Sequence, residues 1–333
     1  MQMQNTQILL ARRPTGEPTP EDFKLVQSAV PAPGPGQVLV RAHYLSLDPY
    51  MRGRMSAAKS YVEPVEIGAV MCGEVVGEVL DTNNSKFAKG DFVYGPLGWQ
   101  THALSNGTDL RRIDVRKAPP SAWLGVLGMP AVTAHMGLLD IGEPKEGETV
   151  VVSAAAGAVG SIVGQIAKIK GARAVGIAGG PAKCAEVVKE FGFDACVDYR
   201  APGLRDALKA AAPRGIDVYF DNVGGEILDT VLTLMNPFSR LPLCGLISQY
   251  NATEPYGIKN FRSILVNRIR VQGFIVLDKP ERWRIAFNDL AEWYGAGKLR
   301  YRETIADGLP AAPNAFIGML RGGNVGKQLV KLL

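Results

Sequence analysis

The segment TVVVSAAAGAVGSIVGQIAKIKG, residues 149–171, passes from an apolar β-branched stretch through a turn of small residues into a stretch with helical apolar spacing. Strand, turn and helix in that order are the setting in which a glycine-rich turn holds a dinucleotide pyrophosphate. Gly157 lets a phosphate approach the backbone, Gly160 permits close helix-to-strand packing, and the helix that opens at Ala158 and Val159 offers N–H groups to anionic oxygens. Ala155 stands where such fingerprints carry their first glycine.

Downstream the same rhythm repeats. Strands are read at residues 149–155, 174–178, 195–199, 216–223, 240–247 and 270–276, and helices at 159–170, 182–191, 204–212, 227–235 and 261–268, with another at 282–295. Alternation at these short periods predicts a parallel α/β sheet, and six strands is the full doubly wound count. The second strand ends in IAGGPAK. An NAD site would place a carboxylate there for the ribose 2′-hydroxyl, whereas Gly179 and Gly180 leave that place uncharged. Lys183 and Tyr199 can serve a 2′-phosphate, so NADPH is the expected cofactor.

Upstream the chain reads as β-rich, with strands at 37–47, 68–80 and 91–95 separated by Gly, Pro and Asn turn signals. Residues 121–142 suit helices interrupted at Pro130. The tail returns to strand near residues 303–305 and 327–332 and is expected to rejoin the first domain.

At 333 residues the chain is about twice one typical domain. Its 37 basic and 32 acidic residues give +5 with no run of like charge, which does not argue for nucleic acid. No apolar run suits a membrane span and MQMQNTQ is no signal peptide, so the cytoplasm is the expected location. Four separated cysteines form no zinc knuckle or disulfide framework, and His43, His102 and His135 read as packed or surface residues.

Longer motifs carry a resemblance. LSLDPYMRGRM (45–55), the run 127–171, DNVGGE (221–226), CGLISQYN (244–251), QGFIV (272–276) and GGNVGKQLV (322–330) resemble the leukotriene B4 dehydrogenase, prostaglandin reductase and alkenal double-bond reductase group of the medium-chain dehydrogenase/reductases, especially its bacterial curcumin-reductase branch. The resemblance implies a Rossmann domain at residues 122–300 inserted in a β-rich GroES-like catalytic domain made of 1–121 and 301–333, and a homodimer joined through the Rossmann domains. Zinc members of the superfamily carry Gly-His-Glu where this chain has IGAVMCGEVVG (67–77), so no metal is expected.

Residue by residue, the resemblance places Asn222, Met129, Thr133 and Asn324 at the cofactor. It places Cys244, Gly245, Leu246, Ile247, Ser248, Gln249, Phe274, Ile275 and Val276 around the nicotinamide. Ala131 and His135 depart from the group, which usually has Gly and Tyr there. The implied activity is NADPH-dependent reduction of the C=C bond of α,β-unsaturated ketones and aldehydes. Hydride reaches the β-carbon and a hydroxyl meets the charge that develops on the carbonyl oxygen. Tyr250, beyond the fifth strand, is the candidate hydroxyl, and Tyr50, Leu97 and Trp99 are candidates for the substrate wall. Asp48 reads as a turn or capping residue, and Cys72 and Cys244 as buried thiols. A quinone reductase and an NADPH-binding sensor without turnover stay open.

Overall fold

The computed structural model describes residues 3–333. The chain divides into two compact units, Met1–Leu124 with Glu303–Leu333, and Gly125–Arg302.

The first unit is antiparallel for most of its extent. Strands β1 (Gln4–Leu10) and β2 (Phe23–Ala29) form an antiparallel pair, in register from Gln4 opposite Ala29 to Leu10 opposite Phe23, and β1 also bridges to Val70 and Gln100. The larger sheet is built on β3 (Val38–Ser46), a short helix α1 (Tyr50–Arg54), β4 (Val75–Thr82), β5 (Phe92–Gly95), β6 (His102–Ser105) and β7 (Arg111–Arg112). Alternate residues of these strands turn inward, and Val38, Val40, Val75 and Val79 meet Met51, Met55 and Trp99 in the core. Trp99 stacks on Phe23 with ring centres 5.5 Å apart.

The second unit enters through α2 (Met129–Met136), in whose first turn Pro130 is accommodated because that turn needs no N–H donor, and a π-helical turn (Gly137–Gly142). It continues through β8 (Thr149–Ser153), α3 (Gly160–Ile169), β9 (Arg173–Ala178), α4 (Pro181–Lys189), β10 (Ala195–Asp198), α5 (Leu204–Ala211), β11 (Ile216–Phe220), α6 (Gly225–Leu232), β12 (Met235–Leu243), α7 (Arg262–Val266), β13 (Arg270–Gly273) and α8 (Pro280–Gly295). The six strands are parallel and lie in the order β10-β9-β8-β11-β12-β13. Counted in order of entry this is 3-2-1-4-5-6, the doubly wound arrangement, whose topological switch lies between β8 and β11. All five residues of β8 are buried, as expected of a strand covered on both faces.

The chain then returns to the first unit with β14 (Glu303–Asp307), α9 (Ala312–Leu320) and β15 (Lys327–Lys331). The seven-stranded sheet runs β14-β15-β3-β4-β5-β7, with β6 on β3, so β15 lies between β14 and β3. The α/β class with a separate β-rich domain is as the sequence predicts.

Several expected boundaries differ. Residues 68–74 are not in a strand, which begins at Val75. Met235, read as the end of a helix, opens β12. That strand is irregular because Pro237 lacks an N–H and Phe238 adopts φ 62°, and its register against β11 shifts there. The fourth strand stops at Phe220 and the fifth at Leu243, because the N–H groups of Cys244 and Gly245 turn back to the Asp221 carbonyl at 2.9 and 3.1 Å. The β1–β2 pair and α9 were not anticipated.

Candidate cofactor and active site

The turn after β8 is closed by its own backbone. Ala154 takes a left-handed φ of 51°, and its carbonyl accepts the Gly157 N–H at 2.9 Å. Gly160 then passes so near that a Cβ would lie 2.3 Å from the Ala154 oxygen. Only glycine fits there. At Gly157 a Cβ would meet just that oxygen, at 3.2 Å, so its bareness serves the space outside the turn. The left-handed residue is Ala154, one position before the expected first-glycine site at Ala155. Ala158 and Val159 complete the turn, and α3 directs its N-terminal N–H groups and positive dipole end outward from it.

Between β9 and α4, the Gly180 N–H donates to Asp198 Oδ1 at 2.7 Å, as does the Arg200 N–H at 2.9 Å. These bonds hold the Asp198 carboxyl below its usual range and tie it to the backbone of the turn. Tyr199 is 41% exposed, with the Arg200 guanidinium 5.8 Å over its ring. Half-buried Lys183 has its pKa lowered by burial and then by Arg200, with Glu186 of α4 opposing the shift. Two cations that repel one another beside a phenol, facing glycines, form a place an anion would stabilise. The group fits the 2′-phosphate of NADPH, and it includes Arg200, which sequence reasoning missed although it adjoins Tyr199.

At the switch point Asp221 is fully buried and takes hydrogen bonds from Ser153 Oγ (2.9 Å), the Tyr219 hydroxyl (2.8 Å) and the Val223 and Gly224 N–H groups (2.9 and 3.1 Å). Burial raises its pKa, and these donors work against that rise. Asn222 is fixed by its own N–H to Ser153 Oγ and its Nδ2 to the Ser153 carbonyl, both 2.8 Å. Ser153 and Asp221 therefore set the strand ends on which Asn222 stands. Neither was singled out from sequence, where DNVGGE drew notice only for Asn222.

The segment from Cys244 to Tyr250 folds over this junction. The Ile247 and Ser248 N–H groups reach the Asn222 and Val223 carbonyls, each at 3.2 Å, and Ser248 Oγ donates to the latter at 2.6 Å. Gln249 Nε2 donates to Ser248 Oγ at 2.9 Å. The Tyr250 hydroxyl accepts the Leu246 N–H at 3.2 Å, and a Cβ at Gly245 would lie 3.2 Å from it. Burial pushes the Cys244 thiol up to about 12, so it is unreactive near neutrality. Phe274 packs edge-on to Phe220 with centres 6.2 Å apart, Ile275 N–H binds Asp278, and the Val276 carbonyl accepts Trp283 Nε1. Thr133 Oγ1 donates to the Met129 carbonyl at 2.8 Å, within α2. His135 is buried, 2.8 Å from Asp289 and stacked on Trp293, a packed histidine.

In the first unit Tyr50 opens α1, and burial raises its phenol well above its ordinary value. Leu97 and Trp99, expected at the substrate wall, lie in the core instead, 7% and 0% exposed, because the turn at Gly98 folds them inward. Asp48 is neither cap nor turn residue by its side chain. It accepts Lys327 Nζ at 2.6 Å in a buried ion pair, and Ser46 Oγ donates to its other oxygen. Asn324 Nδ2 donates to the Gly326 carbonyl at 2.9 Å. Among the described residues no three of His, Cys, Asp and Glu gather as a metal-binding group.

Residues 6–113 match the N-terminal domain of oxidoreductase and residues 158–292 match zinc-binding dehydrogenase. The chain is 49% identical over 334 residues to the NADPH-dependent curcumin reductase of Escherichia coli, spanning 98% of this chain and 97% of that one. It is 41% identical over 336 residues to the NADP(+)-dependent 2-alkenal reductase of Nicotiana tabacum, spanning 99% and 98%. The crystal structure of CurA in complex with NADPH from Vibrio vulnificus superposes with a TM-score of 0.94 at 50% identity, covering 98% and 99%. With this likeness along the whole length, the chain belongs to the zinc-independent medium-chain dehydrogenase/reductases, in the group that holds the curcumin and 2-alkenal reductases.

Proposed function

We propose that the chain is an NADPH-dependent reductase of the C=C bond of α,β-unsaturated ketones and aldehydes. The observation that carries this is the end-to-end likeness to a curcumin reductase and a 2-alkenal reductase, and it is supported by the close-packed turn at Gly160 and by Tyr199 and Arg200 beside Gly179.

NADPH, when bound, supplies a hydride for the substrate's β-carbon. The turn from Gly157 to Gly160 and the start of α3 hold the pyrophosphate, and Lys183, Tyr199 and Arg200 hold the 2′-phosphate. Asn222, the segment from Cys244 to Gln249, the segment from Phe274 to Val276, and Met129 and Thr133 border the rest of the cofactor. Tyr250 donates a hydrogen bond to the carbonyl oxygen as charge accumulates there. The Leu246 N–H at its oxygen polarises the phenol as a donor.

The protein is further proposed to work as a homodimer in the cytoplasm. No helix of the described residues is long and apolar enough to cross a membrane. Strand β13 lies at the sheet edge with all four residues exposed, beside exposed Phe238, Phe261, Leu265 and Leu277. An exposed edge strand flanked by exposed apolar side chains is suited to pairing with a second copy, and sedimentation as a monomer would refute it.

The test is loss of 340 nm absorbance with NADPH or NADH and a 2-alkenal, with product analysis and a quinone run alongside. NADPH consumption yielding the saturated aldehyde is expected. An allylic alcohol, or turnover of the quinone alone, would refute the reading, and tight NADPH binding without turnover across enones would favour a sensor.

A further inference from the structure

The π-helical turn Gly137–Gly142 has no part in the reading above, although turns of this kind recur at functional sites. It is closed by the Glu143 N–H, which reaches back to the Leu138 carbonyl at 2.8 Å with the wider spacing that defines such a turn. The last carbonyls of a helix lack partners inside it. Here arginines supply them. Arg240 of β12 donates from Nε to the Gly142 carbonyl and from Nη2 to that of Glu143, both at 2.8 Å, and Arg270 of β13 donates to the Ile141 carbonyl. Arg270 also pairs with the Glu143 carboxylate at 2.8 Å. A third arginine, Arg282, binds the Asp140 carboxylate with two nitrogens, at 2.9 and 2.5 Å. It stands in the first turn of α8, where the helix dipole disfavours a cation, and Asp140 offsets that cost.

Arg270 and Arg282 lie on either side of Phe274, Ile275 and Val276 in the chain. None of residues 271–280 is buried, so a core does not fix their course. Polar contacts do. The Ile275 N–H donates to Asp278 Oδ2 at 2.8 Å, the Asp278 N–H returns to the Ile275 carbonyl at 2.9 Å, and Trp283 Nε1 donates to the Val276 carbonyl at 2.8 Å. Phe274 itself sits on the π-helical turn. A Cβ at Gly137 would lie 2.3 Å from Phe274 Cζ, 2.8 Å from its Cε1 and 2.7 Å from Phe220 Cε2, so the place of the missing side chain is taken by the Phe274 ring. Phe220 ends β11, one side of the topological switch, and its edge-on contact brings Phe274 from the sheet edge back to the carboxyl ends where ligands of open α/β sheets bind. Ties to one turn at both ends and in the middle, on a segment that adds little to the core, suit a wall that must be held in place for a bound molecule.

We propose that the turn Gly137–Gly142 sets the place of the nicotinamide through Phe274, with Gly137 as the positioning residue: its bare Cα seats the ring, and Arg270 and Arg282 tie the two ends of the segment to the same turn. This rests on the reading that the chain binds NADPH with Phe274 to Val276 beside the nicotinamide. Hydride transfer depends on how closely the donor carbon is held, and a misplacement of about 1 Å costs about 10²-fold in rate. A methyl at Gly137 would displace the Phe274 ring by about that much, since 2.3 Å falls about 1 Å or more short of carbon–carbon contact. The phosphate-binding residues Gly157, Lys183 and Arg200 belong to other turns and are left as they are.

The experiment compares wild type with Gly137→Ala, Phe274→Leu and the double variant. It measures the NADPH Kd, the fluorescence emission of bound NADPH, and kcat for a 2-alkenal per NADPH-binding site, a scale on which unfolded molecules do not count. Gly137→Ala should lower kcat about 10- to 100-fold, move the bound emission toward that of free NADPH and leave Kd within about twofold. Leucine lacks the ring atoms that the methyl would strike, and Phe220 can then give way, so in the Phe274→Leu background the same alanine should cost less than about threefold. If Gly137→Ala does not fold, Arg282→Gln combined with Asp140→Asn decides: it loosens the downstream end of the segment without leaving a lone charge, and should lower kcat and move the emission in the same direction. Wild-type kcat and emission in Gly137→Ala, an equal loss with and without the Phe274 ring, or an unmoved emission in the Arg282 and Asp140 variant overturns the proposal and leaves the enone reading standing. A shifted emission in a chain whose wild type turns over no enone supports the seating of the nicotinamide and overturns the enone reading. Absence of NADPH binding overturns both.

Discussion

Alanine at two glycines of one turn should produce two different defects. At Gly160 a methyl would lie 2.3 Å from the Ala154 oxygen, 2.9 Å from its carbonyl carbon and 3.0 Å from Ala155 Cα, all backbone atoms. To reach ordinary contact the start of α3 must retreat by about 1 Å, and overpacking of this kind costs about 1–3 kcal/mol. For a unit of this size that is a melting shift of roughly 2–10 °C, and the displaced N–H groups no longer meet a phosphate. At Gly157 the methyl meets a single oxygen at 3.2 Å, and its φ is not left-handed, so stability should stay within about 0.5 kcal/mol. The methyl nevertheless fills the approach to the pyrophosphate. Loss of one hydrogen bond to a charged group, about 1.5–3 kcal/mol, would raise the NADPH Kd roughly ten- to hundredfold. Calorimetric melting and titration of NADPH fluorescence separate the two effects. Wild-type NADPH affinity in Gly157→Ala, or wild-type melting in Gly160→Ala, would refute the account of the turn.

Removing both cations with Lys183→Ala and Arg200→Ala should weaken NADPH about ten- to hundredfold and leave NADH unchanged, and equal losses for both cofactors would contradict a 2′-phosphate pocket. Tyr250→Phe should lower kcat about 10²- to 10³-fold with little change in NADPH affinity, as loss of an oxyanion donor does, and full turnover would withdraw its role. Lys327→Met leaves Asp48 buried without its cation and should cost about 3–5 kcal/mol in urea unfolding, largely recovered by adding Asp48→Asn. A loss below about 1 kcal/mol in the single variant would mean that water reaches the pair.

The parallel sheet was readable because its signals are local. An apolar run, a turn of small residues and a helical period recur within short windows, as around Ala154 and Gly179. The second strand partner of a hairpin is not local, and β1 and β2 alternate too weakly for either to be read alone. Met235 shows a different limit, because helical apolar spacing continued past Leu232 while the chain had already turned into a strand bulged at Pro237 and Phe238. Site residues met the same divide. Lys183 and Tyr199 follow from strand ends, and Arg200 adjoins Tyr199 and was passed over, whereas Ser153 and Asp221 acquire their roles from each other across 68 residues of sequence. Trp99 was misplaced because an aromatic near a glycine turn suits a pocket wall and a core equally, and only the fold of Gly98 chooses between them.

The position of β15 has a consequence for synthesis. It is an interior strand of the first unit, pairing Leu329 with Ser46 and fastened by Lys327 to Asp48, yet it is made after all of the second unit. Chains emerge at about 5–20 residues per second, so β3 waits roughly 15–60 s on the ribosome for its neighbour. The continuous second unit can finish first, whereas the first unit exposes an unpaired strand edge and a half-covered core throughout that interval. Slow elongation, or release before residue 327, should thus send the nascent chain toward chaperones and aggregation, through the N-terminal half whose own sequence is intact.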